Sequence, residues 1–300
     1  MQIKKTWKQV DGVLLLDKPL GMSSNDALQK ARRLFSAAKG GHTGTLDPLA
    51  SGLLPLCFGE ATKFSADLLD ADKTYVAMLK LGVRTESGDA EGAVIAMRPV
   101  TCSQADVEAA LARFSGEIDQ VPPMTSALKR DGRPLYELAR QGITVEREAR
   151  RVRIHAIRLL SFAGDAAEIE VRCSKGTYIR VLGDDIGEVL GCGAHLSALR
   201  RTGVADLTLA GAHTLAALEA LADDERLQCL APVDALLQSL PRIDLSMSEG
   251  GERFSHGNPA VAVGAPCAKI RVYIDGKLAG VGERKVDGKV YPKRLVQLAP

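Results

Sequence analysis

The sequence is poor in aromatic residues and contains no long apolar run. Aromatic residues make up only 4% of the 300 residues, with one Trp, five Tyr and six Phe. No apolar segment approaches the roughly 20 residues that a membrane-spanning helix requires. Residues 12–17 are too short for the apolar core of a signal peptide, and no small-residue cleavage site accompanies them. We therefore expect a cytoplasmic protein that has no membrane partner.

Cysteine and histidine are also few, and neither forms a metal-binding pattern. The six cysteines include no CxxC pair, and the five histidines do not fall at the spacing of metal ligands. Cysteines scattered in this way indicate reduced thiols and argue against a structural zinc. We predict that the protein binds no metal, and the sequence offers no site for a nucleotide or redox cofactor.

The net charge of +2 neither demands nor excludes nucleic acid, but the positive charge is concentrated in one segment. Eight basic and four acidic residues lie between positions 129 and 153, which gives this stretch a net charge of +4. The basic residues are Lys129, Arg130, Arg133, Arg140, Arg147, Arg150, Arg151 and Arg153. A solvated surface can carry such charges, and a phosphate-binding surface requires them.

Local patterns predict a mixture of strands and helices in the first 240 residues. Ser23 and Ser103 each precede an Asp by three residues, which is the spacing of a capping box and predicts two helix starts. Short apolar or alternating runs predict strands at 13–16, 73–81, 152–162 and 168–173. These elements indicate an α+β fold.

The last sixty residues have a different character. The stretch from Pro241 to Pro259 is rich in Gly, Ser and Pro, as is typical of a domain boundary. Asp-Gly pairs at 275–276 and 287–288 then predict two tight hairpins. We predict two domains, residues 1–240 and residues 241–300, of which the second is a small β-barrel.

The segment from Gly40 to Lys63 carries the most specific pattern in the sequence. It places five glycines around a single His42 and a single Asp47. Glycine is favoured where the backbone turns sharply or approaches a ligand closely. Asp47 directly precedes Pro48, an arrangement typical of a helix N-cap and the first helical residue.

Two interpretations of Asp47 are open from the residues alone. In the first, it only caps a helix after a glycine turn. In the second, it is a fixed, ionised carboxylate at the edge of a pocket, where a helix dipole favours the charged form and the group can act as a nucleophile. A carboxylate held away from water would need a cation, and the planar guanidinium of arginine suits that task.

Residues 41–52, GHTGTLDPLASG, resemble the catalytic motif of the TruB-type pseudouridine synthases, which isomerise uridine-55 in the T loop of transfer RNA. Lys18 and Pro19, with Gly21 and Ser23, are similar to the family's first motif, which packs beside the catalytic loop, and KGTYIR at 175–180 follows in the family's order. The resemblance implies a mixed, largely antiparallel central sheet flanked by helices, followed by a module similar to the PUA-type RNA-binding barrel.

The resemblance also assigns site residues. It implies that Asp47 is the nucleophile, that Tyr75 is the active-site tyrosine and that Arg180 is the cation beside Asp47. Three further residues would shape the pocket for the flipped base, namely His42, Tyr178 and Leu199. Without the resemblance, Arg180 would be interpreted as a surface residue paired with Asp184 or Asp185 one helical turn away.

The basic segment has a counterpart in the same family. Residues 124–153 correspond to an insertion called the thumb, which closes on the T stem-loop. The RNA-binding residues that we expect there are Lys129, Arg130, Arg133, Arg150 and Arg151. Thr125 occupies a position where the family has a tyrosine, so that contact of the family is not expected here.

The implied reaction breaks the N1–C1′ bond of uridine and rejoins the base through C5, so it conserves all atoms and needs no cofactor. Asp47 can add to C6 of the base or attack C1′, and Tyr75 or Asp47 can abstract the proton. We expect a monomer that binds transfer RNA. Two alternatives are a non-catalytic protein that binds or folds RNA, and a hydrolase that uses Asp47 with His42 as its base.

Overall fold

The computed structural model describes residues 6–297, and within these residues two sheets are surrounded by short helices. The strands are β1 Gly12–Lys18, β2 Gly40–His42, β3 Ala50–Phe58, β4 Lys73–Leu81, β5 Val83–Thr85, β6 Val94–Met97, β7 Gly116–Gln120, β8 Lys129–Arg130, β9 Arg133–Pro134, β10 Arg150–Ala163, β11 Ala166–Cys173, β12 Ala194–Val204, β13 Leu207–Thr208, β14 His213–Thr214, β15 Arg242–Leu245, β16 Ala260–Val261, β17 Cys267–Ile274, β18 Lys277–Arg284 and β19 Lys289–Leu295. The helices are α1 Ser24–Phe35, α2 Ser65–Leu69, α3 Gln104–Ala112, α4 Leu135–Arg140, α5 Ile179–Val189, α6 Leu215–Ala220, α7 Asp223–Leu227 and α8 Glu252–Ser255. Short 3₁₀ segments lie at Gly59–Phe64 and Val233–Leu237, and a kinked helical turn lies at Met247–Gly251.

The larger sheet is mixed and largely antiparallel, as predicted. Its main path runs β14-β1-β3-β12-β4-β11-β10-β7, with β2 paired to β3 and β13 paired to β12. Only the β1–β14 and β12–β3 pairs are parallel. Every residue of β3 except Ser51 is buried, because this strand lies inside the sheet with covered faces. The catalytic motif therefore leads directly into the centre of the sheet.

Two helices begin where the capping patterns predict. The Ser23 hydroxyl accepts a hydrogen bond from the amide of Asp26 at the start of α1. Ser103 and Asp106 form a reciprocal capping box at the start of α3. These side chains accept hydrogen bonds from amide groups that have no partner inside the helix. Because donor and acceptor lie within four residues of each other, the local sequence was enough to predict where each helix begins.

The helix predicted after Asp47 is absent, and that prediction was wrong. Residues 47–50 form a tight turn in which the amide of Ala50 donates to the carbonyl of Asp47 at 3.0 Å. Asp followed by Pro also favours the first two positions of such a turn. The chain joins the sheet at Ala50, which lies opposite Leu199 of β12. Asp47 and Pro48 could have started a helix, but the residues that follow them pair with β12 as a strand instead.

The basic segment leaves the sheet at Gln120 and returns at Arg150, and we call residues 121–149 the thumb segment. It contains the β8–β9 hairpin and α4. The segment is shorter than the predicted 124–153 at its C-terminal end. Arg150 and Arg151 lie on β10, because they pair there with Gln120 and Asp119 of β7.

The C-terminal residues form a separate five-stranded sheet in the order β15-β17-β18-β19-β16. It is the curled half-barrel expected of a PUA-like module. Asp275 and Gly276 both have positive φ, 47° and 79°, and connect β17 to β18, as the Asp-Gly signal predicted. The amide of Gln297 donates to Glu60 Oε2 at 2.7 Å, which joins this sheet to the 3₁₀ segment at 59–64. Within residues 6–297, no helix is long and apolar enough to cross a membrane.

Candidate active site

The structure brings Asp47 and Arg180 together. Asp47 lies in the turn before β3, and Arg180 lies in the first turn of α5. Arg180 Nη2 is 3.1 Å from Asp47 Oδ2, and the two side chains are 7% and 44% exposed. The carboxylate is therefore fixed by a buried cation while part of it remains accessible. This combination suits a nucleophile that must meet a substrate.

Arg180 is held in place by three further residues. Its Nη1 donates to the carbonyl of Ser87 at 3.3 Å and to Thr125 Oγ1. Its Nη2 also donates to the carbonyl of Thr125 at 3.2 Å. Its Nε lies 3.6 Å from Asp89 Oδ2, whose side chain is only 6% exposed. Asp89 is a second carboxylate of the site that the sequence did not identify, because it lies in a turn that carried no chemical signal.

The alternative partner of Arg180 is engaged elsewhere. Asp184 binds Arg84 through two bonds, from Nε to Oδ1 at 2.7 Å and from Nη2 to Oδ2 at 2.8 Å. Side chains on a helix point back toward its N-terminus, and Arg180 on the first turn is thereby directed at the Asp47 turn. The surface pairing that helical spacing suggested is not formed.

Tyr75 on β4 lies opposite Arg201 on β12. Arg201 is 1% exposed, and its Nε donates to the carbonyl of Leu53 at 2.7 Å. Its Nη1 and Nη2 lie 3.4 and 3.5 Å from the carbonyl oxygens of residues 44–45. Burial raises the pKa of the Tyr75 phenol, and the Arg201 guanidinium opposes that rise. Arg201 thus joins Tyr75 to the loop of Asp47, a role that no pattern in the sequence predicted.

One glycine of the catalytic motif is required by this arrangement. Gly52 has φ +101°, and a Cβ at that position would lie 2.2 Å from the carbonyl oxygen of Arg201. No side chain fits at that distance, so β3 approaches β12 more closely than another residue would allow. The close backbone approach predicted from the glycine content is therefore present at Gly52.

Lys18 is a second buried cation near Asp47. It ends β1 with a fully buried side chain, and its Nζ donates to the carbonyls of Pro19 at 2.9 Å and Met22 at 2.6 Å. Burial lowers the pKa of Lys18 to about 8, and the negative charge of Asp47 opposes the shift. The sequence placed Lys18 beside the catalytic loop only through the resemblance of the first motif.

The lowered pKa of Lys18 predicts a pH dependence of stability. Between pH 8 and pH 10 the unfolded chain binds more protons at Lys18 than the folded chain, so stability rises with pH. Lys18→Met should reduce this rise by about 2 kcal/mol, because the buried ammonium is absent. Urea unfolding at both pH values measures the difference. Lys277→Met, at an exposed position, serves as the control, and an equal rise in Lys18→Met and wild type would contradict the assignment.

The three residues assigned to the pocket come from β2, β12 and the residue before α5. His42 ends β2, where burial lowers the pKa of its imidazole and the nearby Arg201 adds to the effect. Within residues 6–297, His42 Nδ1 is buried without a hydrogen-bond partner. Leu199 is half-buried on β12 and packs, like Tyr75, against the apolar cores on both sides of the site.

Tyr178 is half-buried and immediately precedes α5. Its backbone is clamped by the side chain of Gln120, which accepts from the Tyr178 amide at 3.1 Å and donates to the Tyr178 carbonyl at 3.4 Å. This clamp joins the last residue of β7, where the thumb segment begins, to the residues that lead to Arg180.

The basic residues predicted to bind RNA lie in two places. Lys129, Arg130 and Arg133 are exposed on the β8–β9 hairpin of the thumb segment. Arg150 and Arg151 lie at the start of β10, beside the edge strand β7, where Arg151 Nε contacts Asp119 Oδ1 at 3.1 Å. The structure brings none of these five cations into contact with Asp47 in the part of the chain that it describes.

No metal cluster competes with these side chains for a role. Across residues 6–297, no three His, Cys, Asp or Glu side chains lie together in a metal-binding group. All six cysteines are free thiols, and Cys57, Cys173 and Cys192 are buried. The polar groups of this site are the carboxylates of Asp47 and Asp89, the phenol of Tyr75 and the buried cations described above.

Family models match most of the chain. The N-terminal domain of the TruB family pseudouridylate synthases matches residues 32–179, and the tRNA pseudouridylate synthase B C-terminal domain matches residues 180–238. The C-terminal model of pseudouridine synthase II TruB matches residues 241–296.

Curated relatives cover the whole chain. The tRNA pseudouridine synthase B of Dechloromonas aromatica (strain RCB) is 66% identical over 299 residues, which are 100% of both chains. The enzyme of the same name from Ralstonia nicotianae (strain ATCC BAA-1114 / GMI1000) is 59% identical over 308 residues, covering 99% of this chain and 98% of the relative.

Solved structures agree in fold. A chain in the crystal structure of a Cbf5-Nop10-Gar1 complex has a TM-score of 0.71 and 25% identity, covering 95% of this chain and 84% of that chain. A chain in an H/ACA RNP bound to a substrate RNA containing 2′-deoxyuridine has a TM-score of 0.72 at 22% identity, covering 96% and 85%. With the family models and the full-length relatives, the chain belongs to the TruB family of tRNA pseudouridine synthases, isomerases that act on tRNA.

Proposed function

We propose that this chain converts uridine-55 in the T loop of tRNA to pseudouridine, with Asp47 as the nucleophile. The observation that carries the proposal is the contact of 3.1 Å between Asp47 Oδ2 and Arg180 Nη2. A buried guanidinium orients the carboxylate, and 44% of the Asp47 side chain remains open to a substrate. A carboxylate held in this way can attack C1′ or C6 without the aid of a metal.

The reaction moves one bond. In the C1′ route, the Asp47 carboxylate forms a bond to C1′ as the N1–C1′ bond breaks, and the released uracil anion rotates. C5 then forms the new bond to C1′ as the bond from Asp47 to C1′ breaks, which frees the carboxylate. The proton on C5 leaves and N1 takes up a proton, so the base regains its conjugation and no atom is gained or lost. Burial raises the pKa of the Tyr75 phenol and keeps it protonated near neutral pH. We therefore assign the proton abstraction to the carboxylate of Asp47 after its release.

The target uridine must leave its folded loop before it reaches Asp47. Flipping costs a few kcal/mol, and stacking on an aromatic ring returns about 1–3 kcal/mol per base. Tyr75 on β4 lies opposite Arg201, and Leu199 lies two residues before Arg201 on β12. We assign to Tyr75 the aromatic contact and to Leu199 the apolar contact with the base. We expect His42 to fill the space that the flipped base leaves in the RNA loop, and Tyr178 to form part of the pocket wall.

We assign binding of the tRNA backbone to the thumb segment, to the basic residues at the start of β10 and to the C-terminal sheet. We propose that residues 1–240 form the catalytic domain and residues 241–300 the RNA-binding domain. We also propose that the protein acts as a monomer. A tRNA substrate also implies a cytoplasmic location.

The assay that tests the function uses a T stem-loop RNA and detects pseudouridine by carbodiimide labelling. We expect mass-neutral conversion of the nucleotide at position 55, and no conversion when that uridine is replaced by cytidine. Release of free uracil would instead identify a hydrolase that uses Asp47 and His42. RNA binding without any conversion would identify a non-catalytic RNA-binding protein.

The thumb hairpin provides a second test of RNA binding. Replacing Lys129, Arg130 and Arg133 together by glutamine should weaken RNA binding about tenfold at 0.1 M salt, because fewer counterions are released. The slope of log Kd against log salt should fall by about 2. The rate at saturating RNA should change little, since these residues do not contact Asp47.

Filter binding across a salt series measures both quantities. Arg113→Gln removes an exposed positive charge at the end of α3 and serves as the control, with an unchanged slope. If the triple variant keeps the wild-type slope, the hairpin does not contact phosphates.

A further inference from the structure

The thumb segment touches the active site through Thr125. Two of the hydrogen bonds of the Arg180 guanidinium go to this one residue, from Nη1 to Oγ1 and from Nη2 to the carbonyl oxygen at 3.2 Å. The same Nη2 contacts Asp47 Oδ2 at 3.1 Å. Thr125 and Asp47 therefore share one donor nitrogen of the arginine.

Arg180 cannot move independently of these partners. Its side chain is 7% exposed, and the carbonyl of Ser87 and the carboxylate of Asp89 occupy the other sides of the guanidinium. Because the guanidinium is planar and its donors are fixed relative to one another, a rotation that follows Thr125 also changes the contact with Asp47. The five contacts behave as one rigid unit.

Gln120, which directly precedes the thumb segment, is also hydrogen-bonded to the residues that lead to Arg180. Gln120 clamps the backbone of Tyr178, two residues before Arg180. Thr125 lies five residues after Gln120, inside the thumb segment, and is an exposed residue. A displacement of the thumb segment would therefore also displace Thr125. Inside the segment, Tyr136 donates its amide to the carbonyl of Ser126 at 3.1 Å, which ties α4 to the neighbour of Thr125.

We propose that Thr125 is a positioning residue that couples the thumb segment to the catalytic carboxylate through Arg180. The inference rests on the proposed function of Asp47. When RNA draws the thumb segment toward the site, the Thr125 hydroxyl holds the guanidinium in the orientation that aligns Asp47. The hydroxyl therefore contributes to the rate of the bound complex and not to the affinity for RNA.

The test replaces the hydroxyl without changing the shape of the side chain. Thr125→Val should lower the single-turnover rate at saturating T stem-loop RNA about tenfold, because a hydrogen bond to a charged group is lost. The Kd for the same RNA should stay within about twofold of wild type, since a tenfold change would require about 1.4 kcal/mol of binding energy. Thr125→Ser retains the hydroxyl and should keep a rate within about threefold of wild type.

Thr144→Val is the matched control, because Thr144 is exposed in the same segment and its side chain forms no hydrogen bond among the described residues. It should leave both the rate and the Kd unchanged. Thermal melting of each variant checks that the fold is intact. An unchanged rate in Thr125→Val overturns the proposal, and so does a loss of RNA affinity as large as the loss of rate. Failure of Thr125→Ser to retain the rate also overturns it. Wild type that makes no pseudouridine in this assay would instead refute the proposed function.

Discussion

Asp47→Asn is expected to abolish pseudouridine formation while leaving the RNA bound. The amide keeps the size of the carboxylate but cannot act as a nucleophile, so the single-turnover rate should fall by about 10⁴-fold or more. The Kd for the T stem-loop should change by less than about threefold, because the variant retains every basic residue proposed to contact phosphates. Carbodiimide labelling and filter binding on the same preparation measure the two quantities.

Asp206→Asn removes a carboxylate at an exposed position and serves as the matched control with wild-type activity. A variant at Asp47 that retained the wild-type rate would exclude covalent catalysis by this residue. A variant that made no pseudouridine but kept the biological function of the wild type would favour the non-catalytic alternative. Loss of RNA binding together with the rate would indicate that Asp47 only stabilises the loop.

Arg180→Ala is expected to have the second largest effect, and it should act on both catalysis and stability. Removing the guanidinium leaves the nearly buried carboxylate of Asp89 without a cation, which should lower the free energy of unfolding by about 3–5 kcal/mol. The rate should fall by about 10²-fold or more, because Asp47 loses the group that orients it. Urea unfolding and the single-turnover rate measure the two losses.

The double variant Arg180→Ala with Asp89→Asn separates these effects. Neutralising Asp89 removes the unpaired buried charge, so the double variant should regain part of the stability lost in Arg180→Ala. It should regain none of the activity, because the contact to Asp47 is still missing. An unfolding midpoint of Arg180→Ala equal to that of wild type would show that Asp89 does not depend on this cation.

Several elements could be predicted from the sequence because their signals are local. A capping box satisfies amides within four residues, so the starts of α1 and α3 follow from Ser23 and Ser103 alone. The Asp-Gly hairpin at 275–276 depends on two residues that tolerate positive φ. The alternation at 168–173 likewise marked β11, which runs from Ala166 to Cys173.

The turn at Asp47 shows where a local signal is ambiguous. Asp followed by Pro satisfies the first positions of a helix and those of a tight turn equally well. The choice was made by β12, which pairs in parallel with β3 from Ala50 and lies some 150 residues away in the chain. No window around Asp47 contains that strand, so the pattern could not decide between the two structures.

The sequence by itself determined the family, because the motif around Asp47 and the order of the later motifs are specific, and the role proposed for Asp47 follows from that motif. Only the tertiary structure decided which charges surround Asp47. Asp89 and Arg201 come from separate parts of the chain and carried no catalytic signal in the sequence, and Lys18 was placed near Asp47 only by the resemblance of the first motif. Their roles arise from burial, since a charged or hydrogen-bonding group removed from water must find a partner in space, whatever its distance along the chain.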